Sequence, residues 1–270
     1  QFYKEAIDYA VKRKLNYAAG LALHYSIYVD LAAGKYKEHL NDIDKALYYL
    51  SLANSEAAIV QSALVMDSKA SFFFREEQYD SAAAWYLKGI AILEKIRKDD
   101  RLATTYFNLA GVYQMLNLRD KQKEYTVKAL YASQRNKQAS EISSMYSALS
   151  DYYHTGKEYK TALLYSDSAG LYFSEDMDMA RKYYYLAVRA QAFHGMKRYD
   201  SAVYYYTKGN EIAKELNNVS GITEMSIWMG SSYLGLKQYS NAEKFIKEGI
   251  VLAEENKYLA LRTYGYELLS

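Results

Sequence analysis

Two histidines 40 residues apart are the side chains of this sequence whose types and spacing could do chemistry. His154 and His194 each follow an aromatic residue, and Asp151 and Gln191 stand one helical turn before them. Imidazole and carboxylate groups can bind a divalent metal. The same side chains can instead form a polar wall that hydrogen-bonds a ligand or water. We expect the polar wall, with no metal and no other cofactor.

Other catalytic signals are missing from the sequence. The chain has no Cys, no His-Glu-x-x-His or Gly-x-Ser-x-Gly motif and no phosphate-binding glycine loop, so we do not expect an enzyme. His24 and His39 have no partner pattern and are expected at the surface or as hydrogen-bonded core residues. A net charge of +2, without a run of like charges, gives no indication of nucleic-acid binding. No stretch of 18 apolar residues predicts a membrane span.

The elements that must position these side chains are indicated by an internal repeat with a 40-residue period. We call positions 79, 119, 159, 199 and 239 the tyrosine slot, because four of the five are Tyr and only Arg119 departs. Nine residues before the slot and ten after it the residues are small, and six before and six after it they are aromatic. The small columns are Ala70, Ala110, Ser150, Ala190 and Gly230, then Gly89, Ala129, Ala169, Gly209 and Gly249; the aromatic columns are Phe73, Tyr113, Tyr153, Phe193 and Tyr233, then Trp85, Tyr125, Tyr165, Tyr205 and Phe245.

Each 40-residue unit is predicted to be a pair of helices. Apolar residues recur with helical spacing, and polar breaks at 155–158, 98–100, 136–137 and 217–218 separate the helices. Small residues allow two helices to approach closely, while the aromatic columns fill the space beside the contact. The columns account for about half of the 32 tyrosines as packing residues, including Tyr86 and Tyr206.

The repeat pattern resembles the tetratricopeptide repeat (TPR). Small, aromatic, Gly, Tyr and Ala positions follow one another in the order of that family, although the period is 40 instead of 34 and the closing proline is missing. The resemblance implies an all-α, right-handed α-α superhelix of tandem TPR-like helix pairs. It predicts one solenoid over residues 1–270, with about six and a half pairs.

Both ends of the chain fall inside a repeat. Tyr3 matches a second helix, Gly34 and Tyr36 mark an irregular unit, and Tyr266 matches a first helix whose slot would lie beyond residue 270. Since solenoids need polar caps, we expect a fragment of a longer protein. The alternative is that a single terminal helix caps the array.

The TPR resemblance implies that the first helices line a concave groove, where Asp151, His154, Gln191 and His194 would converge. The groove columns also contain Asp67, Ser71 and Glu224. Trp228 and Tyr184 are expected either as exposed binding residues or as side chains buried between helices. Relatives that clamp chaperone tails use Lys, Arg and Asn here, and only Asn108 is present. The predicted ligand-binding residues are Phe74, Asn108, Gln114, Asp151, His154, Tyr184, Gln191, His194, Trp228 and Ser231.

The resemblance implies a non-enzymatic scaffold that binds a peptide or protein in the groove. The Tyr-Asp-Ser-Ala style and the 40-residue period are similar to the TPR sensor regions of Bacteroidetes membrane-anchored regulators of the LuxR or histidine-kinase type. That likeness implies a role in signal transduction or transcription regulation, a periplasmic location, no direct nucleic-acid binding by this region, and membrane attachment only through segments outside this sequence. The alternatives are a cytosolic peptide-responsive regulator, a passive assembly scaffold and a metal-dependent enzyme.

Overall fold

The computed structural model describes residues 2–32, 40–174 and 176–270, and within these ranges the regular structure is helical. Gly34, Tyr36 and His39, with the irregular unit predicted around them, lie outside the described residues. The helices are α1 (Phe2–Lys12), α2 (Asn16–Ala32), α3 (Leu40–Leu52), α4 (Glu56–Arg75), α5 (Tyr79–Lys95), α6 (Asp99–Met115), α7 (Arg119–Arg135), α8 (Ala139–Thr155), α9 (Tyr159–Gly170), α10 (Met179–Gly195), α11 (Tyr199–Glu215), α12 (Val219–Gly235), α13 (Tyr239–Glu255) and α14 (Leu259–Leu269). The predicted all-α class of tandem helix pairs is confirmed.

The chain divides into two compact units, residues 1–136 and 137–270. The boundary coincides with a predicted polar break between repeats. First helices of the pairs are α4 and α6 in the first unit and α8, α10 and α12 in the second, with α14 in the same register. A single solenoid over 1–270 stays a prediction, and each unit is described by itself below.

Helices within the pairs end in tight turns with one left-handed residue. Lys157 (φ 61°), Lys197 (φ 59°) and Lys237 (φ 61°) hold that position. The backbone N–H of Glu158 donates to the Tyr153 carbonyl at 2.8 Å, the pattern that closes many helix C-termini. In the second unit the left-handed residue of these turns is therefore lysine, whereas Glu77 and Asn117 hold the position in the first unit, although Gly is the residue this conformation favours.

The glycines at the ends of the first helices serve close packing. A Cβ on Gly195 would lie 2.3 Å from Cδ1 of Tyr159, and one on Gly235 would lie 2.3 Å from Cε2 of Tyr199. The rings of Tyr159 and Tyr199 thus pack against the end of the next first helix. This contact explains why Gly and Tyr recur together in the sequence.

The aromatic columns pair with each other inside each unit. In the second unit their rings stack in nearly parallel planes, with interplanar angles of 5°, 7° and 11° and centroids 5.2 to 5.5 Å apart. These pairs are Tyr153–Tyr165, Phe193–Tyr205 and Tyr233–Phe245; Tyr113–Tyr125 is the tilted equivalent in the first unit. The aromatic residue six positions before the slot, on the first helix, therefore packs against the aromatic residue six positions after the slot, on the second helix.

The small columns mark the close helix contacts, as predicted. A Cβ on Gly230 would lie 2.4 Å from Cγ1 of Ile246, and one on Gly249 would lie 2.4 Å from Cγ1 of Ile227. Ser150 is fully buried and its hydroxyl donates to the Ala162 carbonyl at 2.9 Å. The backbones approach so closely that larger side chains would force the helices apart.

One second helix is shorter than the periodicity indicates. α9 has 12 residues, whereas α5, α7, α11 and α13 have 17 each. The chain after Gly170 is rich in Ser and Asp, which favour loops, and Phe173 packs against Tyr185 with ring centroids 4.7 Å apart. The Asp178 side chain then caps α10 by accepting from the Arg181 N–H at 3.0 Å. The loop contains the residues that would otherwise form the last turns of α9, so the 40-residue period is kept.

Candidate functional site

The predicted ligand-binding residues are divided between the two units. Phe74 lies on α4 and Asn108 and Gln114 lie on α6, in the first unit. The other seven lie on α8, α10 and α12 in the second unit: Asp151, His154, Tyr184, Gln191, His194, Trp228 and Ser231. All ten are on first helices, and Gln114 is the one with an exposed side chain.

His194 is held in a single tautomer by its neighbours. The Ser232 hydroxyl donates to the Trp228 carbonyl at 2.8 Å, so its oxygen accepts from Nδ1–H of His194 at 2.9 Å. Nε2 is then the unprotonated nitrogen. Burial, with a smaller contribution from the charge of His154, lowers the pKa of His194 to about 4. The ring is neutral at pH 7.

His154 also packs as a neutral ring. Its centroid lies 5.5 Å from that of Tyr159, and burial lowers its pKa. His154 and His194 lie on α8 and α10, two first helices that pack against each other. No group of three or more His, Asp or Glu side chains in the described ranges has the arrangement of a metal site.

The charged part of the second unit's wall is formed by residues from three first helices. Nε2 of Gln191 donates to Oε1 of Glu224 at 3.3 Å, and the amide faces this way because an ionised carboxylate only accepts. Burial and the charge of Asp151 raise the pKa of Glu224, while the Gln191 bond opposes them. Oε1 of Gln191 is buried without a hydrogen-bond partner in the described chain.

Half-buried aromatic rings flank this carboxylate. Trp228 lies edge-on to His194, with centroids 5.2 Å apart, and 5.0 Å from the ring of Tyr264 on α14. The hydroxyls of Tyr264 and Ser231 are 3.4 Å apart. Tyr184 is half-buried, and burial together with the charge of Asp151 raises its pKa. Trp228 and Tyr184 are thus partly covered by neighbours and partly open to the wall.

Tyr206 on the second helix α11 contributes a polar atom beneath the wall. The side chain is fully buried, and its hydroxyl has no hydrogen-bond partner in the part of the chain that the structure describes. Burial and the charges of Glu224 and Tyr264 raise its pKa. A buried hydroxyl without a partner costs about 1–3 kcal/mol.

We call Asp151, Gln191, Tyr206 and Glu224 the Glu224 cluster. The first unit has a counterpart, the Asp67 cluster, formed by Asp67, Ser71, Tyr86, Thr105 and Asn108. Nδ2 of Asn108 donates to Oδ2 of Asp67 at 3.4 Å, and the hydroxyls of Ser71 and Tyr86 are 2.9 Å apart. Phe74 lies beside this cluster on α4, with its ring 5.6 Å from that of Tyr79.

Burial raises the pKa of Asp67 to about 6, against smaller opposing effects of Thr105 and Asn108. The Thr105 hydroxyl donates to the Arg101 carbonyl at 3.2 Å, and Oδ1 of Asp67 is left without a hydrogen-bond partner in the described chain. In the Asp67 cluster, Oδ1 of Asp67 therefore lacks a hydrogen-bond partner, whereas the hydroxyl of Tyr86 is bonded to that of Ser71.

His24 is a hydrogen-bonded core residue, as the sequence analysis allows. Its Nδ1 accepts from Nε2 of Gln61 at 2.5 Å, and its Nε2 donates to the Ser68 hydroxyl at 2.8 Å. Because Nε2 carries the proton in this arrangement, His24 cannot act as a base toward Ser68. Burial lowers the pKa of His24 to about 4.

The repeat pattern predicts Tyr206 only as a packing residue and does not mark Glu224 as a binding residue. Both lie in recognisable repeat columns: Glu224 is one of the groove positions, and Tyr206 stands in the column of Tyr86. The sequence does not show whether a buried phenol is hydrogen-bonded. That depends on the length and direction of the facing side chain.

Taken together, the second unit presents carboxylate, amide, hydroxyl and aromatic groups from four neighbouring helices. Its imidazoles are neutral and used in packing. Such a set suits the binding of a polar ligand more than proton transfer. No helix of the described residues is long and apolar enough to cross a membrane.

Neither a protein-family model nor a curated protein sequence matches the chain. Solved structures with TPR-like repeats do match it in fold. A signal transduction ATPase with numerous domains (STAND) carrying a tetratricopeptide repeat sensor, from Pyrococcus horikoshii, has a TM-score of 0.71 at 18% identity over 100% of this chain and 41% of its own.

The quorum sensor NprR from B. thuringiensis, in its apo form, has a TM-score of 0.71 at 15% identity, over 93% of this chain and 69% of its own. A Rap protein complexed with Competence and Sporulation Factor has a TM-score of 0.64 at 15% identity, over 94% of this chain and 73% of its own. At these identities the likeness is one of fold. The protein therefore has the all-α fold of TPR-like superhelical repeat proteins.

Proposed function

We propose that this chain is a non-enzymatic scaffold that binds a peptide or protein, as the ligand-sensing region of a signal-transduction or transcription regulator. The observation that carries the proposal is the wall of the second unit. There, α8, α10, α12 and α14 each contribute half-buried polar or aromatic side chains, among them Asp151, Gln191, Trp228 and Tyr264. Tyrosine and tryptophan on a concave surface are frequent sources of binding energy.

The fold neighbours support this proposal. One carries a TPR sensor, another is named a quorum sensor, and the Rap protein was crystallised with a factor bound. Function cannot be carried over from fold alone. The names of these neighbours support ligand sensing. The wall of this chain supports it separately, because it has the residue types that such a role needs.

The two histidines of the wall are poorly suited to catalysis. His154 and His194 have lowered pKa values through burial and pack against aromatic rings. General acid–base catalysis works best with a group whose pKa lies near the working pH. These neutral rings are better suited to shaping a surface.

Sensing by such an array would work through small, additive changes at helix contacts. Each repeat packs mainly on its neighbours, and a ligand that spans several first helices favours the arrangement in which all of its contacts are made. We place this sensor in the periplasm, by likeness to Bacteroidetes regulators, with the cytosol as the alternative.

A fluorescence experiment tests the proposal. The chain has two tryptophans, Trp85 and Trp228, so Trp85→Phe leaves Trp228 as a reporter in the wall. We expect ligands selected from a random peptide library to shift its emission and bind saturably. Tyr204→Ala is the control, because Tyr204 is 53% exposed on the second helix α11.

Two results would contradict the proposal. Failure to select any saturable peptide would remove the ligand-binding function. Selected peptides that lose affinity with Tyr204→Ala and keep it with Trp228→Ala would put binding on the second helices instead of the wall. Hydrogen exchange then separates a sensor from a passive scaffold, because only a sensor changes protection in α8 to α12 beyond the contact residues.

A further inference from the structure

We propose that the Glu224 cluster selects an arginine side chain of the bound peptide. This inference deepens the proposed function and rests on it. It is specific to the second unit, where Gln191 on α10 bonds to the Glu224 carboxylate on α12, and the buried hydroxyl of Tyr206, on the intervening helix α11, has no partner. Arginine is chosen because its guanidinium is a planar fork of five donors that needs several acceptors at once.

The electrostatics of the cluster favour a positively charged group. The groups that act on Glu224 are Asp151, whose like charge is unfavourable, and Gln191, a neutral donor. No cation among the described residues contributes to the environment of Glu224. A ligand cation would therefore relieve both the burial of the carboxylate and its repulsion by Asp151.

An independent observation points to a missing donor and acceptor at the same place. Tyr206 is 0% exposed and its hydroxyl has no partner, while Oε1 of Gln191 is also buried and unpaired. At the equivalent repeat positions in the first unit, Tyr86 and Ser71 bond to each other. By this repeat equivalence we infer that the phenol of Tyr206 faces Gln191, where a donor placed between them would satisfy both oxygens.

The aromatic border distinguishes arginine from lysine. Trp228 and Tyr264 lie beside the cluster with ring centroids 5.0 Å apart, and Tyr184 lies on the adjacent helix α10. A guanidinium can donate in its plane to Glu224 and Gln191 while its face stacks on such rings. The ammonium group of lysine has no flat face that could stack on these rings. It is also more strongly hydrated than a guanidinium, so it gains less by leaving water.

A buried water bridging Tyr206 and Gln191 is the competing explanation for the two orphan atoms. It would satisfy both groups without any ligand. It predicts that changes at Glu224 and Tyr206 leave peptide selectivity unaltered. The two explanations can therefore be separated by measuring selectivity as well as affinity.

The experiment uses position-scanned pentapeptides with arginine or its neutral isostere citrulline at each position, measured by calorimetry on the full chain. We expect the best arginine peptide to bind the unmodified protein about tenfold or more tightly than its citrulline form. Glu224→Gln should reduce this ratio to about two or less, and Tyr206→Phe should reduce it about threefold. The control Glu243→Gln removes an exposed carboxylate paired with Lys247 and should leave the ratio unchanged.

Each other outcome overturns a defined part of the idea. Peptides that bind with equal affinity as arginine and citrulline forms overturn the inference and leave the proposed function intact, whereas no peptide binding at all overturns both. A ratio that persists in Glu224→Gln and Tyr206→Phe favours the bridging water. Equal binding of lysine peptides removes the arginine selectivity, and free L-arginine or spermidine binding as tightly as the best peptide makes this a small-cation site. Circular dichroism of each variant verifies that it is folded.

Discussion

The Asp67 cluster of the first unit and the Glu224 cluster of the second are built on the same plan with opposite results. In each, an amide on one first helix donates to a carboxylate on a neighbouring first helix: Asn108 to Asp67 and Gln191 to Glu224. In each, a tyrosine from the second helix between them lies beneath. Tyr86 finds a hydroxyl partner in Ser71 and Tyr206 finds none.

One repeat position that differs between the clusters faces the tyrosine hydroxyl in the first unit. Ser71 and Gln191 are equivalent residues, three periods apart. The short serine hydroxyl can both donate and accept, so it pairs with Tyr86. Gln191 is longer and directs its amide nitrogen to Glu224, and its oxygen does not meet Tyr206. Equivalent repeat positions can thus leave a buried tyrosine hydroxyl paired in one repeat and unpaired in another.

The largest expected effect tests whether only the second cluster binds. Trp228→Ala removes the ring that packs on His194 and Tyr264, and we expect selected peptides to lose about 2–3 kcal/mol of binding free energy. Asn108→Ala in the first cluster should leave their affinity within about twofold. Titration calorimetry measures both. Equal losses would show that the two clusters share the ligand.

The next effect concerns the buried carboxylate of the first cluster. Asp67 has a pKa raised from 3.8 to about 6 by burial, so between these values the folded state binds more protons than the unfolded state. The free energy of unfolding therefore falls as pH rises through this window. Asp67→Asn should remove that slope and stabilise the protein at pH 7 by about 2–3 kcal/mol.

Urea unfolding from pH 3.5 to 7.5 measures the Asp67 effect, and the difference between the two proteins isolates it. This subtraction matters because His24, with a pKa lowered to about 4, has the opposite slope. It binds its proton mainly in the unfolded state and destabilises the fold as pH falls below 6.5. Parallel curves for the unmodified and Asp67→Asn proteins would show that Asp67 is ionised and well solvated.

The smallest effect has opposite signs in the two clusters. Tyr86→Phe leaves the Ser71 hydroxyl without its partner and should destabilise the protein by about 1 kcal/mol. Tyr206→Phe removes a hydroxyl that has no partner, so it should be neutral or stabilise by up to about 1 kcal/mol. Trp85 and Trp228 report unfolding near each site when studied one at a time. Destabilisation by Tyr206→Phe would mean that this hydroxyl is already satisfied.

Much of the fold was predictable because packing constraints repeat. Small residues such as Ala190 and Gly230 occur where backbones touch, and rings such as Phe193 and Tyr205 meet beside them. The predicted breaks at 155–158, 136–137 and 217–218 fall at helix ends, whereas of the break predicted at 98–100 only Lys98 lies between helices, because α6 begins at Asp99. The early end of α9 at Gly170 was not predicted, because the loop that replaces its last turns preserves the period on which the prediction depended.

The candidate site was predictable as a set of columns and not as a set of contacts. The repeat columns predict that Gln191, His194 and Trp228 lie on one wall, and in the structure they are close together. The columns do not predict that burial lowers the pKa of His194 or that Trp228 is half-buried. Both depend on what surrounds the side chain, which a single sequence does not specify.

The sequence by itself determined the helix pairs, their period and the face on which each side chain lies. These properties depend on the local spacing of small, aromatic and polar residues, which the chain repeats every 40 positions. Tertiary structure alone decided which buried polar groups are paired. Ser71 satisfies Tyr86 and Gln191 leaves Tyr206 unpaired, because a hydrogen bond requires a separation of about 3 Å and a suitable angle between side chains on different helices.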